Sequence, residues 1–131
     1  MSSIADVSKL TLEEKLTTIG CSSERYPDRL SCIFSIDDEK VLFKIATSNL
    51  ERTIKSQAIS QIENQELLFE IAKKEKETSL ITELINKIKV RDHLLFLKKH
   101  YIKTIKGASF NRLINEQLNK SNNSISFILE D

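Results

Sequence analysis

The sequence predicts an all-α protein, folded as a right-handed α-α superhelix of about four stacked helix pairs. Apolar positions recur with a period of about 26 residues, within the range typical of stacked supersecondary units. The clearest two copies at this offset are CIFSIDDEKVLFKIATS (32–48) and AISQIENQELLFEIAKK (58–74). Only two Gly and one Pro are present, and a β-sandwich or barrel needs many more turn residues.

The first two helices follow from a capping box and a proline. Thr11-Leu-Glu-Glu14 has the S/T-x-x-E form, so a helix should start near Leu12. The apolar positions of this helix lie about 26 residues before those of the first helix in the next pair, so the repeat begins with this helix. Pro27 suits the first turn of a helix over 27–36, where its missing N–H costs nothing.

Short polar side chains that can accept a backbone N–H mark the next helix starts. We assign this capping role to Asp37-Asp38, Asn64 and Thr78-Ser79. The apolar residues that follow each cap, or lie between them, recur at the spacing of one helix face. Helices are therefore predicted over 39–46, 52–63, 65–73 and about 80–88.

The period is expected to break after Ile88. Asp92 is interpreted as the N-cap of a longer helix over 93–106, with Gly107 as its C′ residue. The apolar face assigned to this helix comprises Leu94, Leu95, Leu97, Tyr101, Ile102 and Ile105. A fourth copy of the second helix, with a longer offset, comprises Phe110, Ile114 and Leu118. We interpret 119–124 as a loop and leave 125–129 open between helix and strand.

Length and composition favour one soluble globular domain over 1–131, with 40% hydrophobic and 30% charged residues. Within it we expect an N-terminal arm or cap (1–10), regular repeats (11–106), and a degenerate repeat with a C-terminal cap (107–131). No apolar run has membrane-span length and no secretory signal is evident, so we expect a cytoplasmic protein without a membrane partner. Cys21 and Cys32 are then free thiols.

The second helices carry a family resemblance. Ile54-Lys55-Ser-Gln-Ala58-Ile59-Ser-Gln-Ile62 resembles the V-R-x-A-A-x-x-x-L motif of HEAT-like repeats and their leucine-rich-repeat-variant relatives, which are armadillo-like α-solenoids. Gln57 replaces the first Ala of that motif. The resemblance covers about 12–88, and it implies that the second helices line the concave side. It implies no enzymatic activity, because repeats of this kind specify a fold rather than a reaction.

Catalytic chemistry has little support in the sequence. His93 and His100 have no further metal ligands at suitable spacing, and the two glycines stand alone rather than in a phosphate-binding loop. Cys32 occupies a core register, and Cys21 has no histidine partner in evidence. We therefore expect a protein that is not an enzyme and uses no metal or cofactor.

Residues that depart from the repeat suggest a protein-binding surface. Phe34 and Ile81 are apolar on a second-helix face that should be polar, and Arg29 and Lys55 occupy the basic position of the motif. Leu30 and Phe34 either contact the N-terminal arm or form an exposed anchor. The leading hypothesis is a non-catalytic protein–protein interaction module, scaffold or assembly subunit. An inhibitor or immunity-type blocking protein would have the same sequence features.

Nucleic-acid binding is the alternative, because the charge is uneven. The net charge is −4 over 1–86, +6 over 87–106 and −1 over 107–131. A basic helix can contact phosphates or an acidic protein surface, although it can equally be the solvated face of an amphipathic helix. The candidate residues are Lys87, Lys89, Arg91, Lys98, Lys99, Lys103 and Lys106.

Overall fold

The computed structural model describes residues 7–104 and 107–130, and within this part of the chain every regular element is helical, which confirms the all-α class. The side-chain surroundings of Ser8 and of residues beyond 120 are not included. A short 3-10 helix, Val7–Lys9, precedes the α-helices. These are α1 (Leu12–Gly20), α2 (Tyr26–Phe34), α3 (Glu39–Ala46), α4 (Arg52–Ser60), α5 (Gln65–Lys74), α6 (Thr78–Lys87), α7 (Arg91–Tyr101) and α8 (Gly107–Glu130).

The chain divides into two compact units, unit 1 (Met1–Ile62) and unit 2 (Glu63–Asp131). In unit 1, α1 packs on α2, α3 packs on α4, and the second helices α2 and α4 contact each other. In unit 2, α5 packs on α6 and α7 on α8, while α5 also contacts α7 and α6 contacts α8. Each unit therefore contains two stacked helix pairs. A single domain over 1–131 stays a prediction.

Burial follows the repeat further along the chain than the sequence predicted. Leu94 and Leu97 of α7 stand one repeat after Leu68 and Ile71 of α5, and all four are almost fully buried. The expectation that the period breaks after Ile88 is therefore wrong. The break falls between α7 and α8, where the offset to the next buried positions becomes longer.

Two glutamines confirm the register of α8, the second helix of the fourth pair. Gln61 Nε2 in unit 1 donates to the Ile33 and Ile36 carbonyls, at 2.9 and 3.4 Å. Gln117 Nε2 in unit 2 donates to the Asn86 and Ile88 carbonyls, at 3.0 and 3.1 Å. In both cases a side-chain amide on or next to one second helix reaches carbonyls at the end of the preceding second helix, where no further helical turn supplies donors.

Three helix starts have the predicted caps. Thr11 and Glu14 form both hydrogen bonds of the capping box, at 2.8 and 3.2 Å. The Asp38 carboxylate accepts the Lys40 N–H at 2.9 Å, and the Asn64 side chain accepts the Leu67 N–H at 3.1 Å. These bonds satisfy backbone donors that a helix N-terminus leaves free.

Two predicted caps are wrong. The N-cap of α6 is Glu77, so Thr78 is already in the first turn rather than before it. The N-cap of α7 is Val90, and Asp92 lies inside the first turn. Acidic residues are favourable in a first turn as well as at the cap, because the N-terminal end of a helix carries partial positive charge. The residue type alone therefore does not distinguish the N-cap from a position in the first turn.

The C-terminal region differs most from expectation. α7 ends at Tyr101 instead of 106, and Gly107 begins α8 instead of terminating α7. The predicted loop over 119–124 and the strand alternative for 125–129 are wrong, because α8 runs through both. No Gly or Pro follows Gly107 in the sequence, so nothing in this polar run stops a helix that has already formed. Residues 1–6 of the predicted arm lie outside the described part of the chain.

Gly107 is needed because α8 starts close to the end of α7. A Cβ atom at this position would lie 2.6 Å from the Tyr101 carbonyl oxygen and 3.0 Å from that of Ile102. Both are backbone atoms that cannot move aside as a flexible side chain would. At Gly20, by contrast, an added Cβ would have no neighbour within 4 Å.

This contrast gives a matched pair of substitutions. Gly107→Ala should destabilise the protein by about 1–3 kcal/mol, because the new methyl group overlaps backbone atoms. Gly20→Ala should stabilise it by about 0.5 kcal/mol, because alanine restricts the unfolded chain and favours helix. Urea unfolding followed by circular dichroism measures both changes. A neutral effect of Gly107→Ala would contradict the close packing of α7 and α8.

Candidate functional site

The structure separates the four residues predicted to bind a protein partner. Arg29, Phe34 and Lys55 belong to unit 1, and Ile81 belongs to unit 2. Arg29 is 1% exposed and Ile81 is 3% exposed, so the expectation that both lie on an open face is wrong. Lys55 is half-buried, while Phe34 is 74% exposed. Of the four, Phe34 is the side chain that presents a large surface to solvent.

Arg29 is buried because its guanidinium holds three parts of unit 1 together. Its Nε donates to the Ile19 carbonyl near the end of α1, at 2.9 Å. Its Nη1 and Nη2 donate to the two carboxylate oxygens of Glu51 at 2.7 and 2.9 Å. Glu51 is the N-cap residue of α4, so the bidentate pair links α2 to the start of α4. Arg29 is therefore a structural residue.

Tyr26 completes this cluster. Its hydroxyl donates to Glu51 at 3.3 Å, and its ring centroid lies 5.2 Å from the Arg29 guanidinium carbon. The guanidinium holds the pKa of the Glu51 carboxyl at about 2. The same pair raises the pKa of Arg29. The sequence contained one signal for Glu51: an acid recurs one repeat later as Glu77, which is also an N-cap.

The exposed face of α2 borders a shallow cavity in unit 1. Phe34 lies one helical turn after Leu30, so both occupy the same side of α2. Leu30 lines a cavity of about 230 Å³. Its remaining lining side chains come from α4: Arg52, Thr53, Ser56, Gln57 and Ser60. We call this surface, from Phe34 and Leu30 to the cavity, the Phe34 face. The accessibility of Phe34 is compatible with an exposed anchor, and residues 1–6 of the N-terminal arm, the other explanation, lie outside the described part of the chain.

The predicted basic residues have different surroundings. Lys87 lies 3.6 Å from Glu63, and Lys98 donates to the Asn115 side chain at 3.1 Å, which links α7 to α8. Lys89, Arg91, Lys99 and Lys103 are exposed, and Lys106 lies outside the described residues. Lys87 and Lys98 are therefore the less exposed members of this set, each with a polar contact inside unit 2.

An aromatic cluster on α5 and α7 was not predicted from the sequence. Phe69 stacks on His93 at 4.0 Å between ring centroids, and it meets Phe96 edge-on at 5.3 Å. Phe96 lies 6.2 Å from His100, again nearly parallel. The Lys73 ammonium lies 4.7 Å from the Phe69 centroid and 5.9 Å from that of Phe96. We call these five residues the aromatic cluster.

Exposure explains why this cluster was missed. Phe96 is 49% exposed, and Ile102 is 61% exposed although it was assigned to the buried face of this helix. Leu95 is also exposed, so two of the predicted packing residues are not in the core. Phe69 occupies a repeat position shared with Phe43, which is typical of a structural residue. Its partner on α7 is not at the same repeat position, and no sequence period connects them.

The remaining candidates for chemistry have structural surroundings. Burial raises the pKa of the Cys32 thiol. Cys21 lies 3.0 Å from the Ser23 hydroxyl, which lowers the pKa of its thiol. Among the described residues, no three His, Cys, Asp or Glu side chains are grouped so as to hold a metal ion. No helix in the same part of the chain has both the length and the apolarity of a bilayer span.

Comparison of the chain with family models, with curated proteins and with solved structures gave no match. The Phe34 face and the aromatic cluster are therefore interpreted from their own geometry.

The Arg29–Glu51 pair predicts a specific dependence of stability on acid. The carboxyl of a free glutamate has a pKa of about 4.3, whereas the pKa of Glu51 in the folded protein is about 2. The stabilisation is therefore complete above the unfolded-state value and is lost as the pH falls through this interval. The thermal midpoint of Glu51→Gln should decline less between these pH values than that of the wild type. Circular dichroism melts over a pH series measure this, and equal declines would contradict the pair.

Proposed function

We propose that this chain is a non-catalytic protein-binding module that uses the Phe34 face. The observation that carries the proposal is the 74% exposure of a phenylalanine beside the half-buried Leu30. Full burial of such a side chain is worth about 1.5–3 kcal/mol. Phe34 therefore contributes little to the folding stability of unit 1, and most of this burial free energy can be gained when a partner covers the ring.

The cavity beside Leu30 defines the chemistry of the partner segment. Its α4 wall supplies hydroxyl and amide groups, and Arg52 is exposed at its edge. A suitable segment places an apolar side chain against Phe34 and Leu30 and a carboxylate near Arg52. An aromatic anchor surrounded by polar groups is the usual arrangement of an interface hot spot.

The proposal also includes a HEAT-like solenoid architecture and a scaffold or assembly role in the cytoplasm. The repeated apolar pattern of the sequence supports the architecture. So do the packing of α2 on α4 and of α6 on α8, and the equivalent glutamine contacts described above. A blocking protein such as an inhibitor would use the same face. It differs in that binding would abolish the activity of its partner.

Phe34→Ala tests the proposal directly. The variant should keep the circular dichroism spectrum and thermal midpoint of the wild type, because this side chain is mostly in solvent. Proteins captured from the native extract by the wild type but lost with the variant are identified by mass spectrometry. For such a partner, calorimetry should show affinity reduced by about tenfold or more, with little change at moderate salt.

Leu12→Ala is the matched control. Leu12 is an exposed apolar residue on α1 of the same unit, and no α1 side chain lines the cavity beside Leu30. It should leave the captured partner and its affinity unchanged. Equal losses for both variants, or no loss for Phe34→Ala, would show that the Phe34 face is not the binding surface.

A further inference from the structure

One face of α7 combines exposed rings and cations at helical spacing. Phe96, Lys99 and His100 stand at i, i+3 and i+4, which places them along one side of α7, and Lys103 follows in the turn after this helix. All four side chains are exposed. The last of them lies just beyond the end of α7 at Tyr101. The rings of Phe96 and His100 are therefore accompanied by exposed lysines at this end of α7.

The neighbouring helix α5 adds a cation to this surface. Lys73 lies over the Phe69 and Phe96 rings and is paired with Glu70 at 2.7 Å. Glu66 instead meets the His93 ring nitrogen at 3.0 Å. Both acidic side chains of α5 therefore have partners within the unit, and Glu70 offsets part of the positive charge of Lys73.

A cavity of about 420 Å³ opens at the same end of unit 2. Its apolar lining includes Ile81, Tyr101 and Phe110. The Tyr101 hydroxyl donates to the Ala72 carbonyl, which holds the ring in place. The volume lies in the range of about 300–1,000 Å³ typical of small-ligand sites.

The rim of this cavity carries more positive than negative charge. Lys73, Lys74 and Lys76 line it together with His100, and one acidic side chain, Glu75, is also present. The Glu75 carboxylate accepts the backbone N–H groups of Lys76 and Glu77, both at 3.0 Å. Glu75 therefore has hydrogen-bond partners in the backbone between α5 and α6, and the lysines outnumber it at the rim.

We propose that unit 2 binds single-stranded nucleic acid across α5 and α7. Bases stack on the exposed rings of Phe96 and His100, and one base enters the cavity next to Tyr101. The phosphates lie against Lys73, Lys76, Lys99 and Lys103. This surface differs from the Phe34 face of unit 1, so it is a second binding activity and does not depend on the protein-binding proposal.

The rings decide between the possible anionic partners. Aromatic side chains interleaved with cations are characteristic of single-strand binding, because each unpaired base offers a planar face for stacking. A duplex keeps its bases stacked internally and would leave Phe96 and the cavity unused. An acidic protein segment would satisfy the lysines but has no requirement for exposed rings. The geometry therefore favours a single strand over both.

The test uses the full chain and a fluorescein-labelled oligothymidylate of about 12 nucleotides, within the usual site size of single-strand binders. Fluorescence anisotropy should show binding at about 50 mM salt, weakened roughly 50-fold at about 200 mM for four phosphate contacts. A blunt duplex of the same length should bind more weakly at both salt concentrations. No binding of the single strand at the lower salt, or equal binding of the duplex, would overturn the proposal.

Charge reversal tests the lysines. Lys99→Glu with Lys103→Glu should weaken binding by at least about tenfold, because two phosphate contacts become repulsive. Lys40→Glu with Lys44→Glu changes the net charge equally at exposed positions of α3. This control pair should change affinity by less than about threefold. Equal effects of the two pairs would show a general charge effect and overturn the assignment of this face.

A conservative substitution tests the stacking. Phe96→Leu keeps an apolar side chain but removes the aromatic ring, so it should weaken binding roughly tenfold. Leu95→Ala, an exposed apolar truncation on the same helix, should have little effect. Circular dichroism melts verify that both variants fold. Unchanged binding by Phe96→Leu would overturn the proposal. Competition by polyglutamate as effective as by unlabelled oligothymidylate would assign the face to acidic protein segments instead.

Discussion

The structure depends on how short helices satisfy their free carbonyl groups. α1 to α7 contain between 8 and 11 residues, so the four carbonyls left unpaired at each C-terminus are a large share of the backbone. Side chains from another helix supply donors to several of these ends. Arg29 serves α1, Gln61 serves α2, Tyr101 serves α5, and Gln65 and Gln117 both serve the end of α6. Packing of the apolar faces positions these donors, and the donors in turn fix the register of the packing.

This constraint explains which conspicuous side chains are available for binding. Arg29 and Tyr101 are polar residues whose hydrogen-bonding groups already have partners inside their units. The large apolar side chains left at the surface include Phe34 in unit 1 and the aromatic Phe96 in unit 2. The first lies beside a polar cavity and the second among lysines. The two faces therefore differ in chemistry and suit different classes of partner.

Local signals in the sequence predicted the fold better than they predicted the sites. The bounds of α3 and the start of α1 followed from polar caps ahead of apolar residues at helical spacing, and both agree with the structure. The Arg29–Glu51 pair joins residues 22 apart in the chain, and no local pattern encodes such a contact. Gly107 was misassigned because a glycine that ends a helix and one that permits close backbone approach have the same sequence appearance. Phe96 was missed because its partners on α5 share no repeat position with it.

The glutamine contacts have a consequence for the folding of each unit. Gln61 belongs to the second pair of unit 1 but completes the last turn of α2 in the first pair, and Gln117 does the same for α6 in unit 2. The C-terminal turn of an earlier pair is therefore complete only when the later pair is in place. When α4 frays, α2 loses the donor that Gln61 supplies to its last carbonyls, in addition to the hydrogen bonds lost within α4. Fraying of α8 has the same effect on α6 through Gln117. The two pairs in a unit should then open together, as one cooperative segment in hydrogen exchange, rather than peel away one pair at a time.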